Sequence, residues 1–204
     1  MTYTVREELK PSGLAGISDD QINDHWNLYA GYVAQSNALK TQLEELRAAG
    51  KGAAPEYADR RRRFGFEFNG MVLHEYYFGN LKAGVTLNES SAFAEAVKKA
   101  YGSVNAWKED FVNTGKSRSI GWAVCYFDPA TGDINNHFVQ LHEDGNIAGY
   151  HPIVVMDVFE HAYMVDHKAG GRPAYIEACM ANIDWDVAEK RLQDAVDGKT
   201  STRF

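Results

Sequence analysis

The sequence predicts an α+β chain: a long antiparallel helical hairpin at the N-terminal end, then a mixed part with a three-stranded antiparallel sheet and further helices. Three observations predict it. Ile22, Trp26, Tyr29, Val33, Leu39, Leu43 and Leu46 recur at helical spacing. Phe64, Phe68, Met71 and Phe78 do the same after Pro55, a residue favoured at a first helical turn. Beyond them the runs 121–127, 134–142 and 153–156 are short, apolar or β-branched, and bounded by turn residues, as strands are.

In chain order, residues 1–16 hold Pro11 and Gly13 and no sustained period, so they form an extended arm. Ser18 and Gln21 have the form of a capping box with Asp19 and Asp20 in the favoured first turn. The first helix starts there and ends at the Gly50-Lys51-Gly52 link. A short polar link makes the two long helices antiparallel neighbours. Residues 81–88, with Gly84, leave the periodic pattern and divide the chain into domains 1–84 and 85–204. Two shorter helices, 90–101 and 103–113, are broken at Gly102. The turn-rich 128–133 segment joins strands 121–127 and 134–142, with 153–156 as the third strand. Gly170-Gly171 interrupts the helical pattern, 173–196 supplies one or two closing helices, and 198–204 reads as a frayed tail.

Composition bounds the function. The chain has 204 residues, 45% of them hydrophobic, and a formal net charge of -7. That is enough apolar material for a full core, and the acidic balance argues against a nucleic-acid or membrane-surface partner. The basic cluster Arg60, Arg61, Arg62 and Arg63 lies on a helical pattern beside Glu56 and Asp59, so it reads as a solvated face with i, i+4 ion pairs. No run approaches the ~20 apolar residues of a membrane helix, and the first residues lack a signal-peptide layout, so a cytoplasmic location is expected. Cys125 and Cys179 are too few for a disulfide framework and are expected as reduced core residues.

The chemistry concentrates in Asp157-Val158-Phe159-Glu160-His161-Ala162-Tyr163, directly after the apolar run. A carboxylate at the end of a buried strand needs a partner, and His161 follows four residues later. The two residue types suit a first-row transition metal. They also suit a strand-end Asp that caps the next turn beside a surface His, and the stretch alone does not decide. Further up the chain, His25, Tyr29 and Tyr32 share one helix face, and His74 lies in Asn69-Gly70-Met71-Val72-Leu73-His74-Glu75 on the second helix.

The 157–163 stretch resembles the signature of the iron/manganese superoxide dismutase family, with Phe159 where Trp is usual. The segments around His25 and His74 resemble that family's first and second ligand helices, in the same order. The resemblance implies His25, His74, Asp157 and His161 as ligands of one iron or manganese ion per subunit. It implies Tyr32 as the substrate-gate tyrosine, although Tyr29 stands where the commonest form has His and the interval to Tyr32 is one residue shorter. Gly121-Trp122 resembles the family's Gly-Trp, whose indole lines the site, and Arg172 resembles an Arg near the substrate entrance.

The activity so implied is conversion of superoxide to dioxygen and hydrogen peroxide. Three neutral imidazoles and a carboxylate suit a metal that cycles between +2 and +3, which excludes closed-shell zinc. Some relatives place Gln four residues before the second His, where this chain has Gly70. The remaining candidates for a group that hydrogen-bonds coordinated solvent are His142, preferred, and Gln140, which period two would put on the same strand face. Iron against manganese stays open, with a lean to iron. Relatives also pair as homodimers, or as tetramers built from them. Glu160 there reaches the partner's last His ligand, so Glu160, with Tyr163, is expected at a dimer contact. Rival readings are a non-catalytic protein on the same fold, a di-iron carboxylate bundle and a zinc hydrolase. Retention of all four ligands, the lack of Glu-x-x-His pairs and the strand-end Asp speak against them in turn.

Overall fold

The computed structural model describes residues 2–199. Helix α1 spans Asp19–Ala48 and α2 spans Pro55–Gly79, and the two pack antiparallel along their apolar faces. Ser18 caps α1 by accepting the Gln21 N–H, and Pro55 opens α2, as the sequence predicts. The N-terminal arm has only a 3-10 turn at Glu7–Leu9 and lies along α1. There Asn37 exchanges two hydrogen bonds with the Tyr3 backbone, and the Tyr29 hydroxyl accepts from Arg6 N–H.

Two serine-capped helices follow, α3 (Ala92–Tyr101) and α4 (Val104–Gly115), separated by left-handed Gly102. The sheet comprises β1 (Trp122–Asp128), β2 (Asp133–Val139) and β3 (His151–Asp157) in the order β2-β1-β3, antiparallel throughout. β1 is buried along its whole length, which its unbroken apolar run foretells. β3 extends further than the predicted 153–156. A bulge at Ile153 passes Pro152, which lacks a ladder N–H, along this edge strand. After a 3-10 turn at Glu160–Ala162 come α5 (Met164–His167), α6 (Arg172–Ala181) and α7 (Trp185–Val196).

One prediction fails in a way that matters for the site. β2 does not run to His142: it ends at Val139, opposite Trp122. The chain turns there because Gln140 and Leu141 N–H both bond to Asp144 O. Gln140 and His142 therefore do not share a strand face; His142 is buried in the following loop and Gln140 is exposed. Gly121 makes the return possible. Its φ is 145°, and a Cβ there would come 2.2 Å from Val139 O.

One apolar core runs from Leu14 to Ala195 and includes both cysteines, which are free and buried. A two-residue bridge, Leu81 with Ile183, ties the end of α2 to the α6–α7 link. In the arginine cluster the predicted Glu56–Arg60 ion pair is instead a bond from Arg60 to Glu56 O. The ion pairs are Arg62–Asp59 and Arg63–Glu67, the second reaching into a buried carboxylate. Of the predicted 198–204 tail, Thr200 to Phe204 lie outside the described residues.

Candidate metal centre

Four elements deliver four side chains to one point. α1 supplies His25 and α2 supplies His74, with ring centroids 4.9 Å apart, because the antiparallel hairpin levels these two positions. The last residue of β3 is Asp157, and the 3-10 turn beyond it carries His161. His25, His74 and Asp157 are fully buried; the His161 side chain is 22% exposed. One ligand atom from each of the four lies within 4.8 Å of those of the others.

The geometry has one focus, Asp157 Oδ2. His161 Nε2 is 3.0 Å from it, His25 Nε2 3.1 Å and His74 Nε2 3.6 Å. The other carboxylate oxygen, Oδ1, accepts from Phe159 N–H at 2.8 Å, which fixes the carboxylate plane. His74 Nδ1 lies 2.6 Å from Gly70 O, and a carbonyl only accepts, so the proton sits on Nδ1. His74 Nε2 is then a bare lone pair, buried and without a hydrogen-bond partner, facing a carboxylate oxygen. Two lone pairs facing each other in a dry interior repel, and a cation between them removes the repulsion. Donors about 2.1 Å from a common centre, as in metal–imidazole bonds, lie about 3.0–3.6 Å apart at angles of about 90–120°. The three separations from Asp157 Oδ2 match, and the chemistry of the donor set fits a first-row transition metal ion.

Electrostatics agree. Burial pushes His25 and His74 below the ordinary histidine range, which leaves both rings neutral, the ligating form. Burial opposes ionisation of Asp157, yet His161 and His25 outweigh it and hold the carboxyl well below the usual carboxylate range.

Around this point stands a hydrogen-bonded chain. Trp122 Nε1–H donates to His142 Nδ1 at 3.1 Å, so neutral His142 carries its proton on Nε2 and donates to the Tyr32 hydroxyl at 2.8 Å. Burial pushes His142 down to about 4. Burial, with the charges of Asp157 and Glu67, pushes Tyr32 up to about 12. Tyr32 reaches His142 despite the shortened interval, since seven residues keep it on the face of His25. Its ring fills the space beside Gly70, where a Cβ would stand 2.7 Å from Tyr32 Cδ1. A cleft of about 500 Å³ opens beside Tyr32, with Leu28, Arg63 and Glu67 in its walls. Trp122 packs edge-on to His74, and Phe159 stacks on His161 at 5.1 Å.

Other predicted residues take different places. Glu160 is exposed beside His161, and Tyr163 is buried against Tyr175. Arg172 donates to Gly115 O and Ser119 O, bracing the segment between α4 and β1. Sequence reasoning missed Tyr77, Tyr175 and the role of Gln21. Tyr175 donates to Asp157 O at 2.7 Å and accepts from Tyr77, holding the end of β3 from behind. Gln21 bonds His161 O at 2.7 Å. Its place one turn before His25 on the same face was the signal for the last of these.

Comparison with known proteins accords with this geometry. Residues 89–191 match the family described as iron/manganese superoxide dismutases, C-terminal domain. The chain is 34% identical to an iron superoxide dismutase of Aquifex aeolicus over 199 residues, covering 94% of this chain and 91% of that protein. It is 34% identical to an iron superoxide dismutase of Cupriavidus metallidurans, covering 93% and 98%. It is 30% identical to a manganese superoxide dismutase of Haloferax volcanii, covering 89% of each.

Proposed function

The chain belongs to the iron/manganese superoxide dismutase family, and on that footing we propose that it converts superoxide to dioxygen and hydrogen peroxide at one iron or manganese ion per subunit. The observation that carries this reading is the convergence of three imidazole Nε2 atoms on Asp157 Oδ2, one of them a buried lone pair without a hydrogen-bond partner, as a metal ligand would be. When bound, iron or manganese supplies one-electron exchange between its +2 and +3 states.

The chain's own residues do the rest. His25, His74, Asp157 and His161 are the ligands. Asp157 contributes the only negative charge among the four, so the cage suits a cation of charge two or three. His74 is fixed in one tautomer by Gly70 O, and Asp157 by Phe159 N–H and Tyr175, so the donors are oriented before any ion arrives. Tyr32 stays protonated at neutral pH. Since its oxygen accepts from His142, its own hydrogen is free to donate to an anion entering through the cleft. Trp122 sets the tautomer of His142, and the Nε2–H of His142 holds the Tyr32 oxygen, which leaves the hydroxyl hydrogen turned away from His142; the two protons consumed per peroxide come ultimately from solvent. Gln140, being exposed, has no part in this chain.

The assignment of domains 1–84 and 85–204, a cytoplasmic antioxidant role and the homodimer belong to the same proposal. Among the described residues no helix is long and apolar enough to cross a membrane. For the dimer, the exposed Glu160 lies next to partly exposed His161, where a carboxylate of the partner subunit would accept the imidazole's second N–H. The test is metal content and superoxide consumption by iron-loaded and manganese-loaded samples, with mass in solution for the parent and Glu160→Ala. Activity with neither metal would refute the function. A monomeric parent, or a Glu160→Ala dimer with full metal content, would refute the contact.

A further inference from the structure

The cap of α1 departs from its local sequence pattern. In a reciprocal capping box the N-cap side chain accepts from N3 N–H and the N3 side chain returns to the N-cap N–H. Ser18 Oγ does accept from Gln21 N–H at 3.0 Å. The return bond is absent, because Ser18 N–H donates instead to Asp166 Oδ2 at 2.7 Å and Ser18 Oγ donates to Asp166 Oδ1 at 2.6 Å. The Gln21 amide, buried to 1% exposure, turns the other way. Its Nε2 donates to His161 O at 2.7 Å and its Oε1 accepts from Val165 N–H at 2.9 Å.

We propose that Gln21 is a positioning residue for His161, and that Asp166 keeps it in that role by satisfying the Ser18 N–H that Gln21 would otherwise bond. The proposal rests on the four-ligand reading of the metal centre. His161 is the ligand least able to hold its own place. It sits in a single 3-10 turn followed by a four-residue helix, and neither element is long enough to be rigid alone. Gln21 clips both to a thirty-residue helix whose next turn carries His25. The 4.8 Å spacing of the His25 and His161 rings is thereby set by α1. An amide bonded at both ends in a buried site has one orientation, and losing either bond leaves a polar atom unsatisfied.

The experiment follows iron release from the loaded protein to excess chelator, together with hydrogen exchange of the Val165 amide. Gln21→Met keeps the volume and removes both bonds; release is expected to quicken by about tenfold, the lower end for losing such a support, with faster Val165 exchange. Gln21→Glu, which keeps the acceptor for Val165 and loses the donor to His161, also quickens release, and stands in should the Met variant not fold. Asp166→Ala quickens release as well, because the freed Ser18 N–H draws Gln21 away, whereas Asp166→Asn keeps an acceptor oxygen and stays near the parent. In the Gln21→Met background Asp166→Ala adds nothing further. An Asp166→Ala protein that melts earlier but releases iron at the parental rate overturns the proposal, as do independent, multiplicative effects of the two substitutions. A parent chain that takes up neither iron nor manganese overturns the four-ligand reading itself, and the proposal with it.

Discussion

Gly70→Ala sets helix propensity against the site. In an ordinary helix interior the change stabilises by about 1 kcal/mol. Here the new Cβ would stand 2.7, 2.9 and 3.0 Å from Cδ1, Cε1 and Cγ of Tyr32. Carbon atoms settle at about 3.5–4.0 Å, so the ring must retreat by roughly 0.8 Å or α2 must move. Overpacking of this kind costs about 1–3 kcal/mol. A retreat of that size also takes the 2.8 Å Tyr32–His142 bond to the limit of a hydrogen bond, another ~1 kcal/mol. The balance is a loss of about 1–3 kcal/mol, a fall in Tm of several degrees for a chain of this length, and turnover reduced by about 10-fold or more. The assay is thermal unfolding of the apoprotein beside superoxide consumption per bound metal ion. A second background makes the reasoning sharper: in Tyr32→Ala the obstacle is gone, so Gly70→Ala should there stabilise. Gly70→Ala that is stabilising and fully active in the parent would refute the claim that Tyr32 occupies this space.

His74→Ala should abolish metal retention and activity together while keeping most helical content by circular dichroism, since the apolar face of α2 holds the helix. His142→Ala should keep the metal and lower turnover by about 10–100-fold. His142→Gln, able to accept from Trp122 and donate to Tyr32, should recover much of the loss; equal rates for the two would remove His142 from the chain of bonds. Apoprotein stability should fall as pH drops from about 6.5 toward 4. Burial lowers the proton affinity of folded His25 and His74 and holds His142 down to about 4, while the unfolded chain takes up their protons. The unfolded state therefore binds more protons and is favoured, by about 1 kcal/mol per pH unit over most of that range for His142. Asp157, depressed in the fold, adds its own loss only below about 4. A flat stability profile from pH 7 to 5, read by urea unfolding, would contradict this.

The helical hairpin was legible because its information is local: Ser18, Pro55 and the spacing of Ile22, Trp26, Tyr29 and Val33 all lie within the elements they specify. β3 and its Asp157 were legible for the same reason, as an apolar run closed by a charge. The end of β2 was not, since Gln140 to His142 continue a plausible strand and the carbonyl that turns them, Asp144 O, belongs to the loop beyond. With it went the shared strand face of Gln140 and the preferred His142: the loop buries His142 against Trp122 and Tyr32 and leaves Gln140 exposed. Gln21 was read correctly as N3 of a cap, yet its side-chain bonds were hidden, because the competing partner of Ser18 lies 148 residues away. Tyr175 and Tyr77 carry no local mark of a role, and only the fold brings the Tyr175 hydroxyl to Asp157 O and the Tyr77 hydroxyl to Tyr175.

The distance along the chain between His25 and Asp157, 132 residues, bears on how the protein comes into being. During synthesis His25 and His74 emerge first and can meet in the hairpin, but two neutral imidazoles hold a divalent ion only loosely. The anionic ligand and the third ring arrive when about three quarters of the chain is out, and they join the pair only once β3 has docked on α2. Closing so long a loop delays the contact. The nascent chain therefore has no tight grip on any metal until its fold is nearly complete. Which ion it receives is decided late, by the ions available to an almost finished protein, and starvation for metal should leave a folded, empty chain still able to be filled.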